Sequence, residues 1–212
     1  MCLQETLLAS AEASLGISDH SVTNLVTGLS EVSTAGCISK ARLQIYLRIF
    51  ELNLGPVNEV ETPTGKLLQA FRKREGFDME KLSDLMVLLG RGEDALKADA
   101  LFWSRCKGQE LTTKEVRELL QSLVSLSFVV LPQFALDLQL AHYNEGNVAV
   151  LEKDIGILRR AQGKVLAYWE DKLMSERETL TQAEFHSAFD HCGSTAILRQ
   201  IGRNDDKLPT PL

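Results

Sequence analysis

The sequence predicts an all-α protein, and three observations carry this prediction. Apolar residues recur every three or four positions along most of the chain, which is the period of an amphipathic helix. The strict alternation that is typical of strands is nearly absent. The prolines fall mainly where connectors are expected, at Pro56, Pro63, Pro132, Pro209 and Pro211. With 212 residues, 44% of them hydrophobic, the chain can bury one sizeable core or two small lobes.

Two clear helical stripes are separated by a predicted linker. The stripes are formed by Leu43, Tyr46, Leu47, Phe50 and Leu54, and by Val116, Leu119, Leu120 and Leu123. Residues 53–64 are rich in Pro, Asn, Glu and Thr, which is typical of a connector between helical blocks. The tail, residues 203–212, is polar and contains two prolines, so we expect it to be disordered.

The most apolar run of the chain, residues 119–131, predicts a buried helix. It is shorter than the roughly 20 residues that span a bilayer. Pro132, Gln133 and Asp137 follow it and are expected to interrupt its continuation. We therefore expect no transmembrane segment.

Charge and cysteine usage narrow the class of partner and the compartment. The net charge is −6 with a pI of about 5.3, and acidic and basic residues are interspersed, which disfavours nucleic acid as a partner. Cys2, Cys37, Cys106 and Cys192 are far apart and form no CxxC pair, and the N-terminus lacks a signal-peptide pattern. A reducing, intracellular location is the resulting expectation.

A five-residue signature occurs twice, and each copy precedes an apolar helical stripe. The copies are Leu111-Thr112-x-x-Glu115 and Leu180-Thr181-x-x-Glu184. Taken alone, each copy is typical of a helix start, because Thr as N-cap and Glu three residues later form a capping box. A tryptophan precedes each leucine, at Trp103 and at Trp169.

The two signatures resemble the second half of an EF-hand calcium loop. In that family an apolar residue at loop position 8 pairs with the neighbouring hand through a short ribbon, and a Glu at position 12 binds the ion through both oxygens. Leu111 and Leu180 correspond to position 8, and Glu115 and Glu184 to position 12. The resemblance also implies that Trp103 and Trp169 lie on the core face of the incoming helices.

The loops lack the oxygen ligands that calcium requires. Positions 1, 3 and 5 are occupied by Ser104, Cys106 and Gly108 in one copy and by Leu173, Ser175 and Arg177 in the other. A hard divalent cation needs several carboxylate or carbonyl oxygens, and here one Glu remains beside basic residues. Neither loop is expected to bind calcium, and no metal or other cofactor is predicted.

Three weaker anchors extend the repeat along the chain. They are Ile38, Phe77 and Val148, and the gaps between successive anchors are 39, 34, 37 and 32 residues. The loop of Ile38, residues 31–42, keeps Gly36 at position 6 but has Arg42 at position 12, and the loop of Phe77 is shortened. The resemblance implies an N-terminal lobe over residues 1–92 and a C-terminal lobe over residues 93–202, with four or five helix-loop-helix units.

No residues suggest catalysis strongly enough to predict an enzyme. His191 and Cys192 could be imagined as base and nucleophile, but no orienting partner is evident. His20, His142 and His186 are scattered without metal-ligand spacing. The prediction is therefore a non-catalytic protein, and an enzyme that uses Cys192 remains the least favoured alternative.

The resemblance implies a calcium-insensitive adaptor that binds an amphipathic helix or a larger protein assembly. Candidate residues for the floor of a binding groove are Leu119, Leu120, Leu123, Leu126, Phe128, Val129 and Leu131. Simple core packing is an equally weighted interpretation of this run. Two further alternatives are a structural component of a cytoskeletal or ciliary complex without a peptide groove, and an unrelated helical-bundle scaffold. The expected location is the cytoplasm, with a cytoskeletal or ciliary one as the narrower alternative.

Overall fold

The computed structural model describes residues 3–174 and 177–190, and helices dominate them, as the all-α prediction requires. The predicted tail and the His191–Cys192 pair lie outside these residues. In chain order the helices are α1 (Leu3–Ser14), α2 (Val22–Val32), α3 (Lys40–Ile49), α4 (Pro63–Gln69), α5 (Met79–Leu89), α6 (Asp94–Arg105), α7 (Thr113–Ser125), α8 (Leu131–Ala141), α9 (Glu145–Met174) and α10 (Gln182–Asp190). A 3-10 turn, Ile17–Asp19, precedes α2, and a π-helical turn, Leu126–Val130, joins α7 to α8.

Short strands connect the helices in pairs. They are β1 (Cys37–Ile38), β2 (Arg72–Lys73), β3 (Gly76–Asp78), β4 (Glu110–Thr112) and β5 (Thr179–Thr181). β3 is the middle strand of an antiparallel sheet with β1 and β2, and Ile38 lies opposite Phe77. β4 pairs with β5, and Leu111 lies opposite Leu180. Four of the anchors found in the sequence therefore face each other in two pairs, and all four are buried.

Polar side chains determine where several helices begin. Ser39 accepts a hydrogen bond from the Arg42 N–H at the start of α3, and Thr62 accepts one from the Gly65 N–H at the start of α4. The Asp78 carboxylate accepts hydrogen bonds from two backbone N–H groups in the first turn of α5. These caps satisfy backbone donors that have no partner within the helix, so each helix begins directly after its loop or strand.

The predicted linker, residues 53–64, is irregular but is held against the core. It runs between α3 and the first turn of α4, and Leu54 and Val57 within it are buried. The Gln44 side-chain oxygen accepts a hydrogen bond from the Val57 N–H at 3.3 Å. The linker is thus a packed connection between two helix-loop-helix units.

Val148 and Pro132 do not have the roles that the sequence suggested. Val148 lies inside α9 and not before a helix, so this anchor is wrong, and the other four anchors lie on short paired strands. Pro132 does not end the helix, which continues through it to Ala141, although Gln133 and Asp137 interrupt the apolar run within that helix. Directly before Pro132 the Leu131 N–H donates to the Leu126 carbonyl five residues back, and this wider π turn gives the proline ring room beside the preceding turn.

Two clusters of buried side chains form the core. The first cluster takes residues from α1 to α5, from α8 and from the first half of α9. The second cluster takes residues from α6, α7, the second half of α9 and α10, together with Val22 and Val87. The first cluster therefore draws on residues on both sides of position 93, and the division into lobes at residues 1–92 and 93–202 stays a prediction.

Candidate functional site

The two Leu-Thr-x-x-Glu signatures form nearly identical structures on opposite strands of the β4–β5 ribbon. In the first copy the Thr112 N–H donates to Glu115 Oε2 at 2.9 Å, and the Glu115 N–H donates back to Thr112 Oγ1 at 3.3 Å. In the second copy the corresponding distances are 2.9 Å from Thr181 N to Glu184 Oε2 and 3.4 Å from Glu184 N to Thr181 Oγ1. Each signature is thus a capping box at the end of a paired strand.

The carboxylates of these boxes are engaged by the chain itself. The backbone hydrogen bond from Thr112 holds the pKa of Glu115 below its usual value, and burial opposes this effect. The pKa of Glu184 is lowered in the same way by Thr181, with Arg177 as a further cause. The Arg177 guanidinium lies 3.5 Å from Glu184 Oε1. A positively charged side chain of the loop thus neutralises the carboxylate at position 12.

The loop around Leu111, residues 104–115 and the third of the four loops in chain order, also lacks a suitable ligand at its start. Ser104 and Arg105, at loop positions 1 and 2, are still part of α6. The Ser104 hydroxyl donates to the Leu101 carbonyl at 2.7 Å. Position 12 is therefore left without the oxygens that would complete a coordination shell.

In the first and second loops, around Ile38 and Phe77, a basic side chain bonds oxygen atoms of neighbouring residues. Arg42 at position 12 of the first loop donates through Nη1 to Thr34 Oγ1 at 2.5 Å and to the Val32 carbonyl at 3.4 Å. In the second loop Lys73 Nζ lies 3.1 Å from Asp78 Oδ1. The guanidinium and the ammonium are thus bonded to oxygens of their own loops or strands.

No metal centre is formed within the part of the chain that the structure describes. There, no three side chains among His, Cys, Asp and Glu come together as a metal site would require. His20 lies edge-on to Phe50, and His186 pairs with Asp99 at 2.7 Å between α10 and α6. His142 is exposed and its Nδ1 lies 2.6 Å from the Leu138 carbonyl oxygen of its own helix. These three histidines are therefore used in separate local contacts.

The predicted groove floor is part of the core. Leu119, Leu120, Leu123 and Phe128 belong to the second cluster, Leu126 and Leu131 belong to the first, and Val129 is partly buried against the second. α9 packs on α7, on the π turn and on α8, so the chain itself covers this surface. In the free chain these side chains therefore pack in the core. This is the second of the two interpretations that the apolar run allowed.

One of the two tryptophans is not where the resemblance placed it. Trp169 is buried in the second cluster, but Trp103 is 53% exposed. Ala98, Leu101, Phe102 and Arg105 form the buried face of α6. Trp103 is one residue beyond Phe102, and a rotation of about 100° per residue turns it towards solvent. Phe102 therefore takes the core position and packs against Phe185 of α10.

The helix from Thr113 to Ala141, taken as one, is long and apolar enough to cross a membrane by length and composition. Of its most apolar stretch, 67% is buried inside the protein, and the core helix of a soluble protein can have the same length and composition. The finding is weak support for a membrane span, and the absence of a transmembrane segment stays a prediction.

A buried ion pair, which the sequence did not reveal, joins α5 to α6. Arg105 Nη2 of α6 lies 2.5 Å from Asp84 Oδ2 of α5, and both side chains are almost completely buried. Burial raises the pKa of Asp84 to about 6, against the lowering effects of Arg105 and Ser122. Ser122 Oγ and Asp84 Oδ1 lack a hydrogen bond of normal geometry, although Ser122 is close enough to influence the carboxylate.

A cavity of about 400 Å³ lies next to this ion pair. Arg105 and Ser122 line it, together with charged residues of α5 and α7 that include Glu80, Lys81 and Glu118. The spacing of Ala98, Leu101 and Arg105 at three and four residues was a usable signal that Arg105 faces inward. No comparable signal in the sequence identifies Asp84 as its partner, because 21 residues separate the two.

Comparison with protein families, with curated proteins and with solved structures finds no match to this chain.

Proposed function

We propose that the protein is a non-catalytic, calcium-insensitive adaptor built from two lobes of paired, EF-hand-like helix-loop-helix units. The first lobe would combine the units around Ile38 and Phe77, and the second those around Leu111 and Leu180. Its partner would be a protein, either an amphipathic helix or a larger assembly of the cytoplasm or cytoskeleton.

The observation that carries the proposal is that the anchors pair through short strands, while charged side chains of the loops bond groups of the same loop. The register of Ile38 opposite Phe77 and of Leu111 opposite Leu180 is the one that paired hands would have. In three loops a basic side chain, Arg42, Lys73 or Arg177, bonds a group of the same loop. In the third loop Glu115 is bonded to Thr112. Such loops would hold each lobe in one conformation without an ion.

The outer surface of the helices is the better candidate for partner binding than the groove floor. The residues of the floor are buried beneath α9 and α8, so a partner could reach them only after these helices move. Exposed apolar side chains occur instead on the outer faces of α3 and α6, at Ile45, Ile49, Leu96 and Trp103. We therefore propose that an adaptor of this kind would bind its partner without opening.

Calcium titration of the full chain by calorimetry and by amide NMR tests the proposal. We expect no binding heat and no shift of the loop amides at millimolar calcium, because the Glu115 and Glu184 carboxylates are already bonded to Thr112 and Thr181 and few other oxygens are available. A matched positive control is the same chain with residues 104–115 replaced by an acidic calcium-loop sequence, which should bind the ion if the site has the EF-hand architecture. Micromolar binding by the unmodified chain would refute the central proposal.

A second candidate, a structural component without a peptide groove, is favoured by the covered floor. NMR titration with amphipathic helical peptides separates the two candidates. Chemical-shift changes at surface residues of α3 or α6 would support an adaptor, and the absence of any change together with incorporation into a larger assembly would support the structural role. Loss of the expected nuclear Overhauser contacts between the Leu111 and Leu180 backbones would instead favour an unrelated helical bundle.

A further inference from the structure

The solvent-facing side of α3 carries an apolar stripe between two arginines. Ile45 is 54% exposed and Ile49, one helical turn later, is 68% exposed. Arg42 and Arg48 are each three residues from Ile45, so they lie about 60° to either side of it around the helix. α3 contains no acidic residue. Exposed isoleucines one turn apart are the arrangement with which a helix packs against another helix.

The solvent-facing side of α6 has the same arrangement with opposite charge. Leu96 is 39% exposed and Trp103 is 53% exposed, and Ala100 lies between them. Glu93 and Asp99 are each three residues from Leu96 and lie about 60° to either side of it. Exposed tryptophan is among the residues that contribute most to protein interfaces.

The charged residues of the two faces match in spacing as well as in sign. Arg42 and Arg48 are six residues apart, as are Glu93 and Asp99. At a rise of 1.5 Å per residue, each pair is separated by about 9 Å along its helix. Two helices laid face to face in opposite directions can therefore bring each arginine level with one carboxylate along the axis. The two members of each level pair start on opposite sides of the apolar stripes, so the helices must cross at an angle for both pairs to come into contact.

The charges are compatible with such a contact. Arg42 bonds only neutral oxygens of its loop, and Arg48 takes part in no ion pair within the described residues. Glu93 precedes α6 as its N-cap without using its side chain for a cap hydrogen bond. Asp99 binds Gln182 and His186 through Oδ1, which orients its carboxylate beside the stripe.

We propose that the α3 face of one molecule docks on the α6 face of a second copy of this chain. A crossed antiparallel arrangement brings Arg48 to Glu93 and Arg42 to Asp99, and it also opposes the two helix dipoles. The contact joins different surfaces of the two copies, so repetition closes a ring or extends a filament. A single helix pair buries less than the roughly 800 Å² per partner of a standard interface, and we expect weak, concentration-dependent association.

Sedimentation velocity of the full chain from low micromolar to millimolar concentration tests the proposal. The wild type should show a weight-average mass that rises with concentration and falls with added salt. Arg48→Glu and Glu93→Arg should each weaken self-association by about tenfold or more, because like charges then meet. The combined Arg48→Glu, Glu93→Arg chain should recover association, since the pair is restored with its signs exchanged.

Controls separate surface contact from folding. Tyr143→Ser changes a residue that is 92% exposed and lies on neither face, and it should leave association unchanged. Circular dichroism must show that each variant keeps its helix content, and a 1:1 mixture of the two single variants should associate through their intact faces. In a Trp169→Phe chain, Trp103 is the remaining tryptophan, and its emission should shift to shorter wavelength as association buries it.

A wild type that stays monomeric at every concentration overturns the proposal, whether or not these faces bind a different protein. So does a combined variant that associates no better than the two single variants.

Discussion

The N-terminal and C-terminal ribbons bring together the same kind of residue by different local means. In the C-terminal ribbon, β4 and β5 end in two matching capping boxes, at Thr112 with Glu115 and at Thr181 with Glu184. In the N-terminal ribbon, β1 and β3 are unequal, and β3 is also half of a tight hairpin with β2. Both ribbons nevertheless place two buried apolar residues opposite each other.

The difference shows that strand pairing depends less on the loop than on the buried anchor. The C-terminal loops keep carboxylates at their ends and bond them to the backbone, while the N-terminal loops use Arg42 and Lys73 instead. Arg42 and Glu115 each follow their anchor by four residues, so opposite charges at this place are compatible with the same pairing. The buried apolar pair contributes most to the contact between units. The predictions below test where the two regions depend on each other and where they differ.

Removal of the ion pair between the two regions should have the largest effect. Asp84→Ala removes the hydrogen-bond acceptor of the buried Arg105 guanidinium, which a protonated Asp84 would keep, and Glu80 at 3.9 Å is then its nearest carboxylate. We expect a loss of about 3–5 kcal/mol in the free energy of unfolding. Chemical denaturation followed by circular dichroism measures it. Replacing both residues, with Asp84→Leu and Arg105→Met, should be much less damaging than Asp84→Ala alone. An equal or greater loss in the double variant would show that the ion pair is not the reason.

A methyl group at Gly76 should destabilise the N-terminal ribbon far more than one at Gly108 destabilises the C-terminal loop. Gly76 has φ of 151°, and a Cβ there would lie 2.5 Å from the Ile38 carbonyl oxygen. We expect Gly76→Ala to cost about 2–3 kcal/mol. A Cβ at Gly108 meets nothing within 4 Å, so Gly108→Ala should change stability by less than about 0.5 kcal/mol. Thermal unfolding of both variants is the measurement, and equal effects would contradict it.

Lowering the pH should have opposite effects on stability through the Asp84–Arg105 ion pair and through the capping boxes. Because the pKa of Asp84 is raised to about 6, its contribution to stability is fully present below the unfolded-state pKa and is lost as the pH rises through 6. When the pH is lowered from about 7.5 to 5, protonation of Asp84 should therefore raise the free energy of unfolding of the wild type by about 1 kcal/mol.

The matched chain for this pH experiment is Asp84→Asn, which removes the titration. Its stability should lack the gain between these two pH values, and a wild type with the same pH profile as this variant would rule the effect out. Glu115 has a lowered pKa, so its contribution is present above the unfolded-state value and is lost only as the pH falls further.

The smallest predicted difference concerns helix caps in the two regions. Thr112→Ala removes one side of a reciprocal capping box, and we expect a loss of about 1 kcal/mol. Ser39→Ala at the start of α3 removes a single hydrogen bond of 3.4 Å, for which we expect about 0.5 kcal/mol. Urea unfolding of the two variants gives the comparison, and a larger loss for Ser39→Ala would reverse it.

The sequence predicted the helical class and the anchors that pair, because both depend on local spacing. Leu111 and Leu180 carry a strong local pattern, and they pair as the resemblance implies. The same spacing failed for Val148, since an apolar residue within a long helix resembles one that precedes a helix. At Trp103 the error was a single residue, which in a helix is enough to exchange the buried and exposed faces.

The charge contacts and the coverage of the candidate floor could not be predicted from spacing. The Asp84–Arg105 pair joins residues of different helices, and the sequence contains no register between them. Residues 119–131 were identified correctly as strongly apolar, but α9, which begins 14 residues after Leu131, covers them through tertiary packing. Local pattern thus predicted which surface is apolar, and the fold determined what covers it.

The composition of the first core cluster has a consequence for the order in which the chain becomes stable during synthesis. That cluster includes Phe134, Leu151 and Ile155 alongside residues of α1 to α5. A ribosome must therefore produce most of the chain before the earliest helices can complete their core. Until then the N-terminal half exposes apolar surface, and we expect it to need protection from aggregation while it waits. For the same reason, separate fragments divided near residue 92 should regain native structure together more readily than either does alone.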